Sequence, residues 1–490
     1  MATSGEAVKA PKLNIREVRL YERDVYLRLP FRFGVVTLTQ APQCFVHVRI
    51  ELPDGRSKWG AAAELLAPKW FDKNPALSNN DNFDQLRLSL HLAADAYVNA
   101  DTPRTAFGHF AAHYDELISV GAKRGLNSLV ANFGPAQIDR AVLDALCRNA
   151  GCSFYDCMRN NLGGIDTAQL IRHLPDLIGF DIKRFLSQLM PADRIAARHT
   201  VGLLDVIDGH PGQVNDGLPE SLEEVVAVYG HRYFKLKVGG NLAADLQRLN
   251  EIAAVLDRTV APYYVSLDGN EQYNDITAVL ELWRCMLAAP QLTRLVSSIL
   301  FIEQPITRAN ALDSDVSSLS KVKPVIIDES DDDLNVFPSA RSLGYVGVSS
   351  KCCKGIYKSI LNAARCSKWN SEVDTLRYFM TGEDLTTQAG IAVQQDLALV
   401  NLIGLRHVER NGHHYVNGMA GLPMSEQSGF LAAHPDLYER SHGAVRLQIR
   451  NGRLNIGSLA AVGFASGAYP EWGGLTPLLA ARQSFISTKG

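Results

Sequence analysis

Tyr233-Phe-Lys-Leu-Lys-Val238 decides how the rest of the chain is read. It has the composition of a short strand, and its two lysines, spaced by two, fall on the same side of that strand. Two cations on one side of an apolar strand do not suit a closed core; they suit a strand whose end opens on a site. Working outward, similar short strands are expected at Thr200–Leu204, Tyr264–Leu267, Leu300–Ile302, Pro324–Ile327, Gly347–Ser350, Tyr378–Thr381 and Arg406–Val408. Successive strands begin roughly 25 to 35 residues apart, with helix-patterned intervals such as Leu242–Leu256 between them, the rhythm of βα units closing into a parallel barrel.

The flanks have other periods. Residues 14–59 read as a meander, with the alternating run Phe45–Leu52 followed by the turn Pro53-Asp54-Gly55-Arg56. From Leu86 the period becomes helical, and Ala136–Leu146 places Ile138, Ala141, Val142, Ala145 and Leu146 on one face. Beyond the barrel, Val445–Ile456 reads as a hairpin around Asn451-Gly452 that returns to the first layer. The expected organisation is an α+β unit at 15–165, the barrel at 198–440 and a returning segment at 441–490.

Composition narrows the function. With 46% hydrophobic and 21% charged residues the chain is of globular type rather than disordered. Lys plus Arg total 49 against 52 Asp plus Glu, so no bulk positive field attracts nucleic acid or an anionic membrane. The eight cysteines form no paired CxxC framework and read as reduced thiols. Residues 1–14 lack a basic-then-apolar leader, and no apolar run spans a bilayer, so a cytoplasmic protein is expected. The run Asp331–Asp333 reads as a solvated acidic loop and the thirteen histidines as scattered surface residues.

In a parallel barrel the chemistry gathers at the C-terminal strand ends. Taken in order from the second strand to the sixth, those ends carry Lys235 and Lys237, Asp268, Glu303, Asp328 with Glu329, and Lys351. Three acids between lysines meet the needs of proton removal next to a carboxylate. The proton is very weakly acidic, so a divalent cation held by hard oxygen ligands must stabilise the enolate. An amine beside that cation and a second lysine has a lowered pKa and can act as the base.

At these residues the chain resembles the enolase superfamily, and within it the muconate lactonising enzyme subgroup. The resemblance rests on Phe234-Lys-Leu-Lys-Val-Gly239, Asp268-Gly-Asn-Glu-Gln-Tyr273, Phe301-Ile-Glu-Gln-Pro305, Ile327-Asp-Glu-Ser330 and Ser350-Lys351. Ala141–Leu146 followed by Gly151–Tyr155 looks like the family's link from capping domain to barrel, so the likeness covers about residues 15 to 465. It implies an α/β fold, a modified TIM barrel of (β/α)7β type under an α+β capping domain. It also implies one Mg²⁺ ion, replaceable by Mn²⁺, and an enolate intermediate.

Residue by residue, the resemblance implies Lys237 and Lys351 as opposite-face acid/bases, with Lys235 orienting Lys237 and polarising the substrate carboxylate. Asp268, Glu303 and Asp328 become the metal ligands, backed by Asn270 and Glu329. Phe31, Phe33, Glu64, Glu383, Asp384 and Asn411 become candidates for substrate contact, and Arg32, Arg410, His413 and His414 for a second anionic group. Lys354 is the alternative to Lys351.

The histidine of the mandelate racemase subgroup is absent from Tyr378–Thr387. Glu409–Tyr415 lacks the acid-x-acid pattern that dipeptide epimerases offer to an ammonium group. The expected activity is that of an isomerase, a racemase, epimerase or cycloisomerase. A lyase dehydrating a hydroxy or sugar acid is the second choice, and a barrel that binds carboxylates without turnover is the alternative of another kind. The expected partners are a small carboxylate substrate and further copies of the chain, as dimer or octamer.

Overall fold

The computed structural model describes residues 9–33, 36–373, 376–479 and 483–485. All but the last residue of the alternating run 45–52 form the C-terminal part of β2 (Val36–Glu51), which pairs antiparallel with β1 (Asn14–Phe33) and β3 (Ser57–Leu65). Gly55 closes the turn at φ +83°, a conformation open to glycine without penalty. β3 continues to Leu65 rather than ending near Trp59, because the small buried residues Ala61, Ala62 and Ala63 let the helix Phe133–Ala150 lie against it. At Gly60 an added Cβ would stand 2.2 Å from the backbone nitrogen of Ala145, so that approach requires glycine.

That helix is buried on all sides, not only on its apolar face. Its polar residues Gln137, Asp139, Arg140 and Asp144 are inside as well, and they serve as anchors. Asp139 accepts from the Tyr97 hydroxyl at 2.9 Å, and Arg140 donates to the Ala63 carbonyl at 2.8 Å. Asp144 accepts from the backbone N–H of Ala61 at 2.9 Å and of Phe464 at 2.7 Å. Truncation of Asp144 orphans two buried N–H groups and takes the carboxylate partner from Arg148, which keeps its bond to the Ser466 carbonyl. Asp144→Ala is therefore expected to cost about 3–5 kcal/mol in denaturant unfolding and to make the chain beyond Phe464 an early target of limited proteolysis.

The barrel strands are β4 (Arg194–Val201), β5 (Tyr233–Lys237), β6 (Tyr264–Asp268), β7 (Ile299–Glu303), β8 (Val325–Ile327), β9 (Gly347–Ser350), β10 (Phe379–Gly382) and β11 (His407–Glu409). All eight run parallel, and β11 pairs with β4 to close the ring. Seven of them lie within one residue of their expected positions. The first does not: it was expected at Thr200–Leu204, but Arg198 and Thr200 project into the barrel and break the apolar run that marks a strand.

The C-terminal segment also departs from expectation. Asn451-Gly452 does form a turn with positive φ at both residues. However, β13 (Ala444–Leu447) pairs backward with β12 (Tyr438–Ser441) across His442-Gly443, a second turn with positive φ at both residues. β14 (Arg453–Asn455) adds antiparallel to β4. The hairpin thus packs on the barrel, while the chain beyond it returns to the first layer: Phe464 donates to Asp144, Trp472 stacks on His47, and β15 (Thr476–Pro477) pairs with Tyr21 and Glu22 of β1.

The aspartate run is not a solvated loop. Asp331 is buried between Lys354 at 2.7 Å and Lys358 at 3.3 Å. Burial, reinforced by Asp333, pushes Asp332 up to about 6. A carboxyl raised in the folded state stabilises the protein below its unfolded pKa and loses that contribution as pH rises through about 4 to 6. Asp332→Asn should therefore flatten this loss, and raise stability at pH 8 by on the order of 2 kcal/mol, in thermal unfolding followed across pH. No helix among the described residues is long and apolar enough to cross a membrane.

Candidate active site

Parallel pairing aligns Lys237 with Asp268 and Asp268 with Glu303, so these three stand side by side at the C-terminal rim. Asp328 and Lys351 each sit one residue past the end of a strand, β8 and β9. One layer deeper, Lys235 is the hub of the site. Its Nζ lies 2.8 Å from carboxylate oxygens of Asp268, Glu303 and Glu383, and 3.0 Å from Glu409. Lys237 pairs with Asp268 at 2.5 Å. Lys351 pairs with Asp328, and its Nζ stands 4.4 Å from the ring centroid of Trp70. All of these charges are buried.

The turns after β6 and β7 hold these ends in register. Asn270, Glu271 and Gln304 adopt left-handed φ of 42°, 65° and 33°, a strain that non-glycine residues carry only where surrounding bonds enforce it. Here they do. The Gln304 side-chain oxygen accepts from the N–H of Asp328 at 2.8 Å and of Ser330 at 3.2 Å, which ties the end of β7 to the turn after β8. Asn270 donates its backbone N–H to Asp268 at 2.8 Å and its side-chain amide to Glu329 at 3.0 Å. Glu271 holds Arg308 at 2.8 Å, and Arg308 donates to the carbonyls of Trp70 and Phe71 at 2.8 and 3.0 Å. These contacts clamp the loop carrying Trp70 over the barrel mouth.

A cleft lies between that loop and the strand ends. Phe31, Leu38, Ala67 and Trp70 form one wall, and Leu385 and Thr386 contribute from the loop after β10. Lys235, Lys237, Lys351, Asn270, Asp328, Asp384, Glu409 and Asn411 form the polar floor.

Burial, with Asp268 and Glu383 adding repulsion, pushes Glu303 well above the usual carboxylate range. Asp268 moves the other way: burial acts to raise it, but Lys235 and Lys237 together hold it low. Burial alone would lower Lys351, yet Asp328 outweighs it and holds the amine above its ordinary value. The lowered lysine expected from the sequence is therefore not seen with the acids bare. Asp268, Glu303 and Asp328 would hold a divalent cation, whose charge would offset that of Asp328 and lower Lys351, the direction a general base needs. The donor set fits such a cation. Asp268, Glu303 and Asp328 offer hard oxygens, and the buried Glu303 Oε2 and Asn270 Oδ1 have no hydrogen-bond partner.

The structure sorts the remaining candidates. Phe31, Asp384 and Asn411 line the cleft, while Glu383 lies beneath it, bonded to Lys235 and Arg198. Glu64 lies outside the cleft: it is buried 3.4 Å from Arg140, and desolvation pushes it up to about 7. The side chain of Phe33 is outside the described residues. Arg32 is exposed, Arg410 is paired with Asp396 and Asp384, and His413 and His414 are buried away from the cleft. Lys354 is turned from the cleft to the Asp328 carbonyl at 3.1 Å and to Asp331, which leaves Lys351 as the strand-six amine in place. Cys352 and Cys353 are buried thiols pushed well up by desolvation.

Sequence reasoning did not single out Arg198, Thr200, Trp70 or Glu409. Arg198 and Thr200 bond Glu383 and Glu409 from β4, and period-two alternation would have exposed them had that strand been placed correctly.

No family model matches the chain, and no curated protein matches it in sequence. Solved structures do. A dipeptide epimerase from Enterococcus faecalis V583, complexed with Mg and the dipeptide L-Leu-L-Tyr, superposes with a TM-score of 0.57 at 14% identity, covering 92% of this chain and 99% of that one. Muconate lactonizing enzyme from Pseudomonas fluorescens, complexed with muconolactone, gives 0.53 at 18% identity over 94% and 98%. The chain has the mandelate racemase/muconate lactonizing enzyme fold. A third protein of that description, from Bordetella bronchiseptica RB50, gives 0.55 at 17% identity over 94% and 98%. Within this fold the first layer, with β15, is the cap and the closed ring is the barrel, so Trp70 belongs to a cap loop.

Proposed function

We propose that the chain is a divalent-cation-dependent enzyme of the enolase superfamily that removes the α-proton of a small carboxylate and returns a proton to the enolate. A racemase, epimerase or cycloisomerase outcome is favoured. The observation that carries this reading is that Lys237 and Lys351 rise from β5 and β9, four strands apart in a ring of eight, and both line one cleft. Amines placed that way address opposite faces of a flat enolate.

The other residues follow from their positions. Lys235 supplies a fixed positive charge to the substrate carboxylate and sets Asp268 against Lys237. Asp268, Glu303 and Asp328 would hold Mg²⁺, or Mn²⁺ in its place, which supplies the charge that makes the α-proton removable at neutral pH. Trp70 and the clamp from Arg308 exclude water above Lys351. The ligands bound in two structural neighbours, a dipeptide with Mg and muconolactone, agree with this class of substrate.

Substrate size and polarity follow from the lining. The apolar wall of Phe31, Leu38, Ala67, Trp70 and Leu385 favours an apolar substituent, and the three lysines are the only cations lining the cleft among the described residues. The substrate is therefore proposed to be a monocarboxylate with an apolar body. The test is a panel of such acids incubated with the protein and Mg²⁺ in D₂O. At least one should gain α-deuterium, and lose that gain in EDTA. Absence of exchange across the panel, with Mg²⁺ shown to bind, overturns the reading.

A further inference from the structure

Outside the cleft, on the outer side of the barrel wall, four histidines meet. Arg198 and Thr200 project inward to Glu383 and Glu409, so His199 between them projects outward from β4. It meets His231, just ahead of β5, and His413 and His414, on the short turn of helix Gly412–Tyr415 after β11. All four are buried. The ring centroids of His199, His231 and His413 are 5.4 to 5.6 Å apart, and His414 stands 5.0 Å from His199. One ring nitrogen from each of His199, His231 and His413 lies within 4.8 Å of the other two.

Those nitrogens lack partners. Nδ1 of His199, Nε2 of His231, both nitrogens of His413 and Nδ1 of His414 are buried with no hydrogen bond. A buried polar atom left without a partner opposes folding, and several facing one another ask for a common occupant. The tautomer of His231 is fixed. Its Nδ1 stands 3.0 Å from the Ala197 carbonyl, which can only accept, so Nδ1 carries the proton and Nε2 presents a lone pair inward. A backbone carbonyl behind a ligating imidazole is the usual support of a metal-binding histidine. Burial holds His231 down near 4 and His414 near 3, so these rings are neutral at pH 7. Of the neighbouring guanidiniums, Arg410 is already paired with Asp396 and Arg28 with Asp216.

We propose that His199, His231 and His413 bind a transition-metal dication, Zn²⁺ by preference, with His414 or a water in the fourth position. Three neutral imidazoles are wrong for Mg²⁺, which demands hard oxygens, and right for Zn²⁺, with bonds of about 2.0–2.1 Å in a tetrahedron. That geometry brings ligand nitrogens to about 3.3 Å apart, reached from the present spacing by small ring rotations. The role is structural. The metal would pin β4 to the helical turn that follows β11, next to Glu409 at that strand's end and Asn411 between strand and turn, which line the cleft, and so hold that side of the site in place.

The test uses untagged full-length protein from cells grown with Zn²⁺, or with Co²⁺ in its place. Elemental analysis should return close to one Zn²⁺ per chain, and the Co²⁺ form should show the intense visible ligand-field absorption of a tetrahedral site. His231→Gln and His413→Gln should each lose the metal at least tenfold, whereas Asp268→Asn, which alters only the acid cluster, should keep both stoichiometry and absorption. Should the histidine variants fail to fold, X-ray absorption on the wild-type Zn²⁺ form decides, with at least three imidazoles in the first shell expected. Wild-type protein carrying less than a tenth of an equivalent of any transition metal overturns the proposal. So does a stoichiometric metal that survives both histidine variants, or a first shell without imidazole.

Discussion

Lys237→Ala and Lys351→Ala are each expected to lower turnover by about 10²- to 10⁴-fold while leaving the protein folded. Loss of a general base has this magnitude when no other group can take over, and the cleft offers none. Lys354 is committed to Asp328 and Asp331 behind the wall. Asp384 already accepts from the N–H groups of Thr387 at 2.9 Å and Asn411 at 2.7 Å. Neither lysine carries the fold alone, since each has one carboxylate within 2.5 Å and Lys235 remains to neutralise the floor. Steady-state rates at saturating substrate, on variants whose melting points are checked, measure the effect. Retention of turnover within tenfold in either variant would remove that lysine from the chemistry.

Lys235→Met should act on stability first. Among the described residues Lys235 is the only cation bonded at once to Asp268, Glu303, Glu383 and Glu409. Removing one partner of a buried ion pair leaves uncompensated charge and costs about 3–5 kcal/mol. Here four carboxylates lose their shared partner, and only the pairs of Glu383 with Arg198 and Asp268 with Lys237 remain. Denaturant unfolding should show a loss at least in that range, and saturating Mg²⁺ should restore part of it, since a ligand of the native state adds about 2.7 kcal/mol at a hundred times its Kd. An unchanged midpoint would mean that the acids share protons rather than lean on Lys235.

The barrel was legible because seven of its strands are short apolar runs and their charged ends fall where the chain must leave the sheet. Lys237, Asp268, Glu303, Asp328 and Lys351 could be read from strand ends alone, as position along a strand and chemical type are both properties of sequence. β4 was misplaced for the converse reason: Arg198 and Thr200 serve the site from inside the barrel, so the strand that carries them does not look apolar. The helix Phe133–Ala150 was legible at Ala136–Leu146 from its apolar face, but its burial on all sides was not, since the partners of Asp139, Arg140 and Asp144 lie on distant segments. Trp70 and Arg308 are joined only by tertiary contact, which no local pattern encodes. Of the histidines, His413 and His414 were read as candidates for a second anionic group, and their meeting with His199 and His231 was not legible, because the cluster is assembled from three separate elements.

The most direct test of the two-base account is α-deuteration followed by NMR on each enantiomer of an active acid, in D₂O with Mg²⁺, for the wild type and both lysine variants. An amine reaches only the proton on its own side. Lys351→Ala should therefore still exchange the enantiomer whose proton faces Lys237 and no longer exchange the other, and Lys237→Ala should show the reverse. Exchange of both enantiomers at wild-type rate by either variant would contradict the account.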